Sequence, residues 1–206
     1  TRTHNGKTLY YHTVLEAKLV TSNGFAFSLM SEFIENPGEK TTKQDCELKA
    51  FYRLAERLKT RFPRLPILLL MDGLFAGGPT FELCHRYGWK FMIVLKDDDL
   101  PSVNEEFVAL SKLQPENRLS WRTGKDAQIR QLFRWVDDIA YVDSQAKEHT
   151  LSVIECLETK PGKGGEKETT KFKWVTNCHV SCKNVTTLSN DGGRMRWKIE
   201  NEGFNV

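Results

Sequence analysis

Apolar, aromatic and β-branched residues crowd positions 9–20 (LYYHTVLEAKLV) and 25–34 (FAFSLMSEFI). The turn-forming run Thr21-Ser22-Asn23-Gly24 lies between them, a pattern that predicts a β-hairpin. The period then changes. Leu48, Phe51, Ala55, Leu58 and Phe62 recur every three or four residues, so 44–62 is expected to form an amphipathic helix. Arg53, Glu56, Arg57 and Lys59 fall on its other faces, and Pro63 stops it. The continuous apolar run 67–71 (ILLLM) has the length of a strand buried on both faces, and Asp72-Gly73 follows at once. Gly77-Gly78-Pro79 opens a helix at about 79–87 closed by Gly88, and 90–95 (KFMIVL) repeats the buried-strand pattern up to Lys96 and Asp97-Asp98-Asp99.

The first hundred residues therefore alternate as β-β-α-β-α-β, which implies a mixed sheet covered by helices. A helix is expected at 101–113, with Phe107 and Leu110 on one face. Short strand-like runs follow at 118–122, 133–142, 150–158 and 171–178. The Gly- and Lys-rich stretch 160–171 (KPGKGGEKETTK) is expected to be a solvated loop, and 194–206 begins as a helix with Met195 and Ile199 on one face.

Composition narrows the class. The 206 residues are 39% hydrophobic and 28% charged, as in an ordinary folded domain. No apolar run approaches the roughly 20 residues needed to cross a bilayer, and the N-terminus carries no signal-peptide pattern. A cytoplasmic protein without a membrane partner is expected. The net charge of +3 is compatible with nucleic acid without requiring it. Five cysteines without regular spacing are expected to be reduced thiols.

Several residues could carry chemistry. Asp72 directly follows a buried strand, where open α/β sheets place their sites, and it could equally cap the next turn. Glu200 shares a helix face with Arg196, as a ligand or as half of a surface ion pair. Mg²⁺ takes one or two carboxylates together with phosphate oxygens, and phosphodiester chemistry often uses two such ions, so a strand Asp and a helix Glu could clamp them. Asp45 and Glu47 either favour the helix dipole or support such a site. Cys178-His179-x-x-Cys182, with Cys156 or His149, is the one softer-ligand set, short of a full zinc site. Trp121, Trp135, Trp174 and Trp197 alternate with Arg122, Arg134, Lys173 and Arg196 and could stack on bases or anchor a β core. There is no P-loop and no GxSxG elbow.

The run Arg194-x-Arg196-Trp197-Lys198-Ile199-Glu200-x-x-Gly203-Phe204 resembles the C-terminal signature of insertion-sequence transposases with a DDE active site, including its R-x-x-x-E spacing. Residues 67–73 (ILLLMDG) resemble the strand bearing that family's second catalytic Asp. Tyr10-Tyr11-His12 and Gln44-Asp45-Cys46-Glu47 also resemble segments of one branch.

The resemblance implies an RNase H-like α/β fold: a mixed sheet flanked by helices, with a β-rich insertion before the C-terminal catalytic helix. On that reading 1–113 is the first part of the core, 114–190 the insertion and 191–206 the truncated catalytic helix. The separation of 128 positions between Asp72 and Glu200 leaves room for the insertion.

The implied activity is Mg²⁺- (or Mn²⁺-) dependent cleavage and strand transfer at transposon ends. Asp72 and Glu200 would hold the metal, Arg196 would orient Glu200 or contact phosphate, and Lys173, Arg194 and Lys198 would contact DNA. The implied partners are transposon-end and target duplex DNA and a second copy of the full-length protein. Three departures stand out: no Asp precedes the hairpin, Gly193 stands where the family often has Tyr, and the chain ends before the family's later Lys. They imply a piece of a longer transposase, inactive by itself. An RNase H-like nuclease, or an inactive DNA-binding remnant, would use the same residues differently.

Overall fold

In a computed structural model, residues 2–4, 7–9, 13–21, 23, 25–34, 43–162 and 166–197 are described. They divide between two compact units, those up to Leu65 and those from Pro66 onward.

In the first unit, β1 (Arg2–His4) pairs with β2 (Lys7–Leu9), and β3 (Val14–Val20) pairs antiparallel with β4 (Ala26–Phe33). The expected hairpin is present, but its first strand begins at Val14 rather than at residue 9, and a bulge lies between Ala17 and Lys18. Helix α1 (Lys43–Arg61) buries Phe51, Ala55 and Leu58 of the expected stripe together with Ala50 and Leu54, while Leu48 is half-buried and Phe62 follows the helix. Glu32 of β4 ties the helix to the hairpin, accepting from Arg53 Nε at 2.6 Å and from Arg57 Nη1 at 2.7 Å. These hydrogen bonds, Arg53 first, hold the Glu32 carboxyl below its usual range. Asp45 falls in the first turn of α1, but its side chain lies outside the described residues.

The second unit is a six-stranded mixed sheet with strand order β5-β6-β10-β9-β8-β7. Strands β5 (Leu68–Met71) and β6 (Lys90–Val94) are parallel. Strands β7 (Arg118–Thr123), β8 (Ile129–Val142), β9 (Glu148–Pro161) and β10 (Lys167–Thr176) form an antiparallel meander, and β10 joins it to β6. The strand-like runs after residue 118 thus extend the same sheet that begins with ILLLM. Two helices, α2 (Gly78–Tyr87) and α3 (Pro101–Leu113), lie where the sequence pattern put them. Pro79 sits in the first turn of α2, and Gly88, at φ 68°, closes it by donating its N–H to the carbonyls of Cys84 and His85.

One loop expectation is corrected. The stretch 160–171 is the arm of a hairpin, with β9 running to Pro161 and β10 starting at Lys167. Lys160, Lys167, Glu168 and Thr169 are exposed, so no apolar alternation marks the strand, and the ladder with β9 supplies the order instead.

The sheet has two covered faces. On one, Met92, Phe133, Trp135, Ile154, Cys156 and Trp174 pack beneath Val180 and Val185 from the segment after β10. On the other, Phe81 of α2 stacks on Phe91 at 5.0 Å between ring centroids, and α3 buries Val103 and Phe107. The covering segment 185–197 is one α turn (α4, Val185–Thr187), a π turn (Leu188–Gly192) and a 3-10 turn (Gly193–Met195), after which Arg196 and Trp197 are α-helical; the rest of the helix expected from 194 lies outside the described residues. No helix among the described residues is long and apolar enough to cross a membrane.

Candidate active site at the ends of two parallel strands

Parallel pairing of Leu68–Met71 with Lys90–Ile93 brings the C-terminal ends of β5 and β6 to one edge of the sheet. Asp72 emerges from the first and Lys96–Asp99 from the second. Asp72 caps the turn that follows it, one of the two roles its position suggested, and also pairs with an arginine. Its Oδ1 accepts from Leu74 N at 3.1 Å, capping the 3-10 turn Gly73–Phe75, and its Oδ2 accepts from Arg196 Nη2 at 3.2 Å. The two residues stand 124 positions apart. The Asp72 side chain stays 42% exposed while that of Arg196 is 17% exposed, so a carboxylate with room for another ligand is backed by a largely enclosed cation.

Asp99 closes in from the β6–α3 loop. A Cβ on Gly73 would lie 2.3 Å from Asp99 Oδ2, so glycine is required for the loop to approach this closely. Asp99 Oδ2 accepts from Lys96 N at 3.1 Å, and Asn104 Nδ2 donates to Asp99 O at 2.5 Å. Lys173, buried on β10, donates to Asp97 Oδ1 and Asn104 Oδ1, each at 2.8 Å, and Lys171 donates to Asp97 Oδ2 at 2.8 Å. Lys171 first, then Lys173, draws the Asp97 carboxyl down to about 2. Asp97 and Asp99 were missed as site residues. The signal was available in the run of three aspartates that follows a buried strand at the same sheet edge as Asp72.

Arg194, expected at DNA, pairs with Glu158 of β9: Nη2 donates to Oε1 at 3.1 Å, Nη1 donates to Oε2, and the guanidinium lies 4.7 Å from the Phe172 ring centroid. Gln131 donates to Glu158 Oε2 at 2.8 Å and exchanges hydrogen bonds with Asn190. This network fastens the 185–197 segment, and with it Arg196, to the sheet.

Burial raises the affinity of Glu158 for a proton, but the bonds from Arg194 and Gln131 outweigh it and leave the carboxyl below its usual range. A lowered carboxylate stabilises the fold fully above its unfolded value of about 4.3. That contribution fades as pH falls through the lower folded value. Glu158→Gln is therefore expected to cost about 1.5 kcal/mol at pH 7. It should also flatten the loss of stability below about pH 4.5. Urea titrations of wild type and variant at pH 7 and pH 3.5 measure both, and equal pH slopes would refute the assignment.

The remaining candidates fall as follows. Glu200 and Lys198 lie outside the described residues. Trp135 and Trp174 are core side chains, 3% and 1% exposed, while Trp121 and Trp197 are about half exposed. His179 pairs with Asp137, His149 pairs with Asp143 at 3.1 Å, and Cys156 is buried in the core. Burial pushes the Cys156 thiol up to about 12. Among the described residues no three His, Cys, Asp or Glu side chains are grouped to hold one metal ion. The softer set around Cys178 and Cys182 is thus not assembled, and the described carboxylates would need a further ligand. No protein-family model matches the chain, and no curated protein matches it.

Proposed function

We propose that this chain carries the core of a metal-dependent DNA strand-transferase of the DDE type, with an RNase H-like sheet. The observation that supports this most is the Asp72–Arg196 hydrogen bond. It joins a strand-end carboxylate to the arginine of the R-x-x-x-E motif across more than a hundred residues. Asp72 offers what Mg²⁺ takes in such sites, an oxygen ligand that is partly exposed and not wholly occupied by protein donors. Asp72 would be a ligand of the ion, a role the resemblance also gives to Glu200, and the charge the ion supplies would stabilise a phosphodiester undergoing in-line displacement. Arg196 fixes the Asp72 carboxylate, and each of its oxygens accepts one protein hydrogen bond and keeps a further lone pair. The Lys171–Asp97–Lys173 group stiffens the adjoining loop, so the edge keeps its shape.

The test is Asp72→Ala in the natural protein that contains this chain, with its own element ends as substrate and Mg²⁺ present. Outer-shell partners of metal sites cost about 10–100-fold when removed, so loss of a direct ligand is expected to lower end cleavage by more than about 100-fold. Binding of the same DNA should be unchanged. Precut ends in a strand-transfer assay separate the transferase from a simple nuclease, which yields no joined product. Cleavage by the alanine variant at the wild-type rate would end the proposal.

A further inference from the structure

The β7–β8 ladder pairs Arg118 with Arg134 and Arg122 with Arg130 directly across the strands, with Ser120 opposite Leu132 between them. Directly opposed residues of an antiparallel pair share a face, and like charges there repel. Four arginines therefore crowd one face of a two-stranded ribbon. Arg134 has an acidic partner, Glu155 Oε1 at 2.6 Å from its Nε. Arg118, Arg122 and Arg130 are exposed and have no ion-pair partner among the described residues. Leu132 and Leu157 beside them are 39% and 37% exposed, so the face is open from Leu132 toward Arg122 and Arg130, while at its other end Arg134 lies over Phe107 of α3, 5.1 Å from the ring centroid. A folded chain that retains facing, unpaired arginines on an open surface carries repulsion that a bound polyanion would relieve.

We infer that this face is a docking surface for the phosphate backbone of duplex DNA. The two arginine pairs stand four residues apart along the strands, about 14 Å. That spacing suits phosphates on either side of a groove, the wider of which is about 12 Å across in B-form DNA. The residues between them, Ser120 and Leu132, offer no amide or carboxylate to read base edges, so the contact is independent of sequence. Single-stranded nucleic acid is disfavoured because its binding surfaces stack bases on aromatic rings, and the nearest exposed aromatic, Trp121, points to the opposite face of the ribbon. The surface deepens the proposed transposase by giving it a place to hold DNA. In that choice of partner it rests on the same reading, though register and charge support it separately.

The experiment uses the natural protein without divalent metal and a random-sequence duplex of about 30 base pairs. Each lost phosphate contact lowers the salt slope of binding by about 0.9, so Arg118→Gln/Arg122→Gln/Arg130→Gln is expected to lower it by about 2.7. Affinity should fall at least about tenfold at low salt. The triple variant relieves repulsion, so its melting temperature should equal or exceed wild type, which removes misfolding as an explanation. Unchanged slope and affinity would overturn the inference. So would equal competition by single-stranded DNA or by polyglutamate at matched charge. Asp72→Ala separates the two proposals: normal cleavage by Asp72→Ala with lost binding by the arginine variant removes the metal site and leaves the surface. The reverse pattern removes the surface and leaves the metal site.

Discussion

Replacing Gly193 with tyrosine, the residue found there in many of the transposases this chain resembles, is expected to destabilise the protein by about 3 kcal/mol or more, at the upper end of overpacking costs. For a chain of this size that lowers the melting temperature by roughly 6–12 °C. The cause is local. Gly193 lies flat against the Trp174 indole, and a Cβ there would meet Cε2 and Nε1 at 2.6 Å and Cδ1 at 2.9 Å. Such distances lie far inside van der Waals contact, and the indole cannot retreat because it is 1% exposed and stacked on Phe172, rings 5.9 Å apart and 3° from parallel. The 185–197 segment must lift instead, loosening the Glu158 network that holds it. Gly193→Ala should already show part of the loss. Thermal melts of the two variants decide it, and a tyrosine variant as stable as wild type would mean the segment does not pack this way.

Trp174→Ala is expected to cost about 3–5 kcal/mol, the range for deleting a buried aromatic side chain. Trp174 fills the centre of the sheet face formed by Met92, Trp135, Ile154 and Cys156 beneath Val180 and Val185. Its position between Lys173 and Val175 made base stacking an open reading in the sequence. Complete burial leaves no ring face for a base. The truncation should therefore lower the denaturant midpoint sharply, while any protein still folded binds duplex DNA with wild-type salt dependence. Normal stability with selective loss of DNA affinity would reverse the assignment. Because the cavity lies under Gly193, the double variant Trp174→Ala/Gly193→Tyr should lose less than the two single losses combined.

Local pattern revealed much of this architecture. Periodicity was enough for α1, since Leu48 through Leu58 repeat on one face and little else competes for that sequence. The apolar runs before Asp72 and Lys96 marked two strands, of which β6 is buried as expected while β5 is an edge strand with Leu68 exposed, and Pro79, Gly88 and Pro101 bounded α2 and α3. Where the chain exposes both faces of a strand, as at Lys160 and Lys167–Thr169, alternation has nothing to report and the ladder stayed hidden. Before Arg196 the turns change type to fit Gly192 and Gly193 over Met92 and Trp174, so no single 3.6-residue period runs through 185–195.

The sequence by itself determined most strands and helices of the second unit, because burial imposes its period wherever one face is covered. It also singled out Asp72 and Arg196, whose chemistry depends on residue type and local spacing. Tertiary structure alone decided that they touch. It also decided that Asp99 presses on Gly73, that Lys173 and Arg194 are engaged by Asp97 and Glu158, and that arginines face one another across β7 and β8. Each of these depends on strand order and register, which hydrogen bonds between distant segments set and which no pattern within one segment encodes.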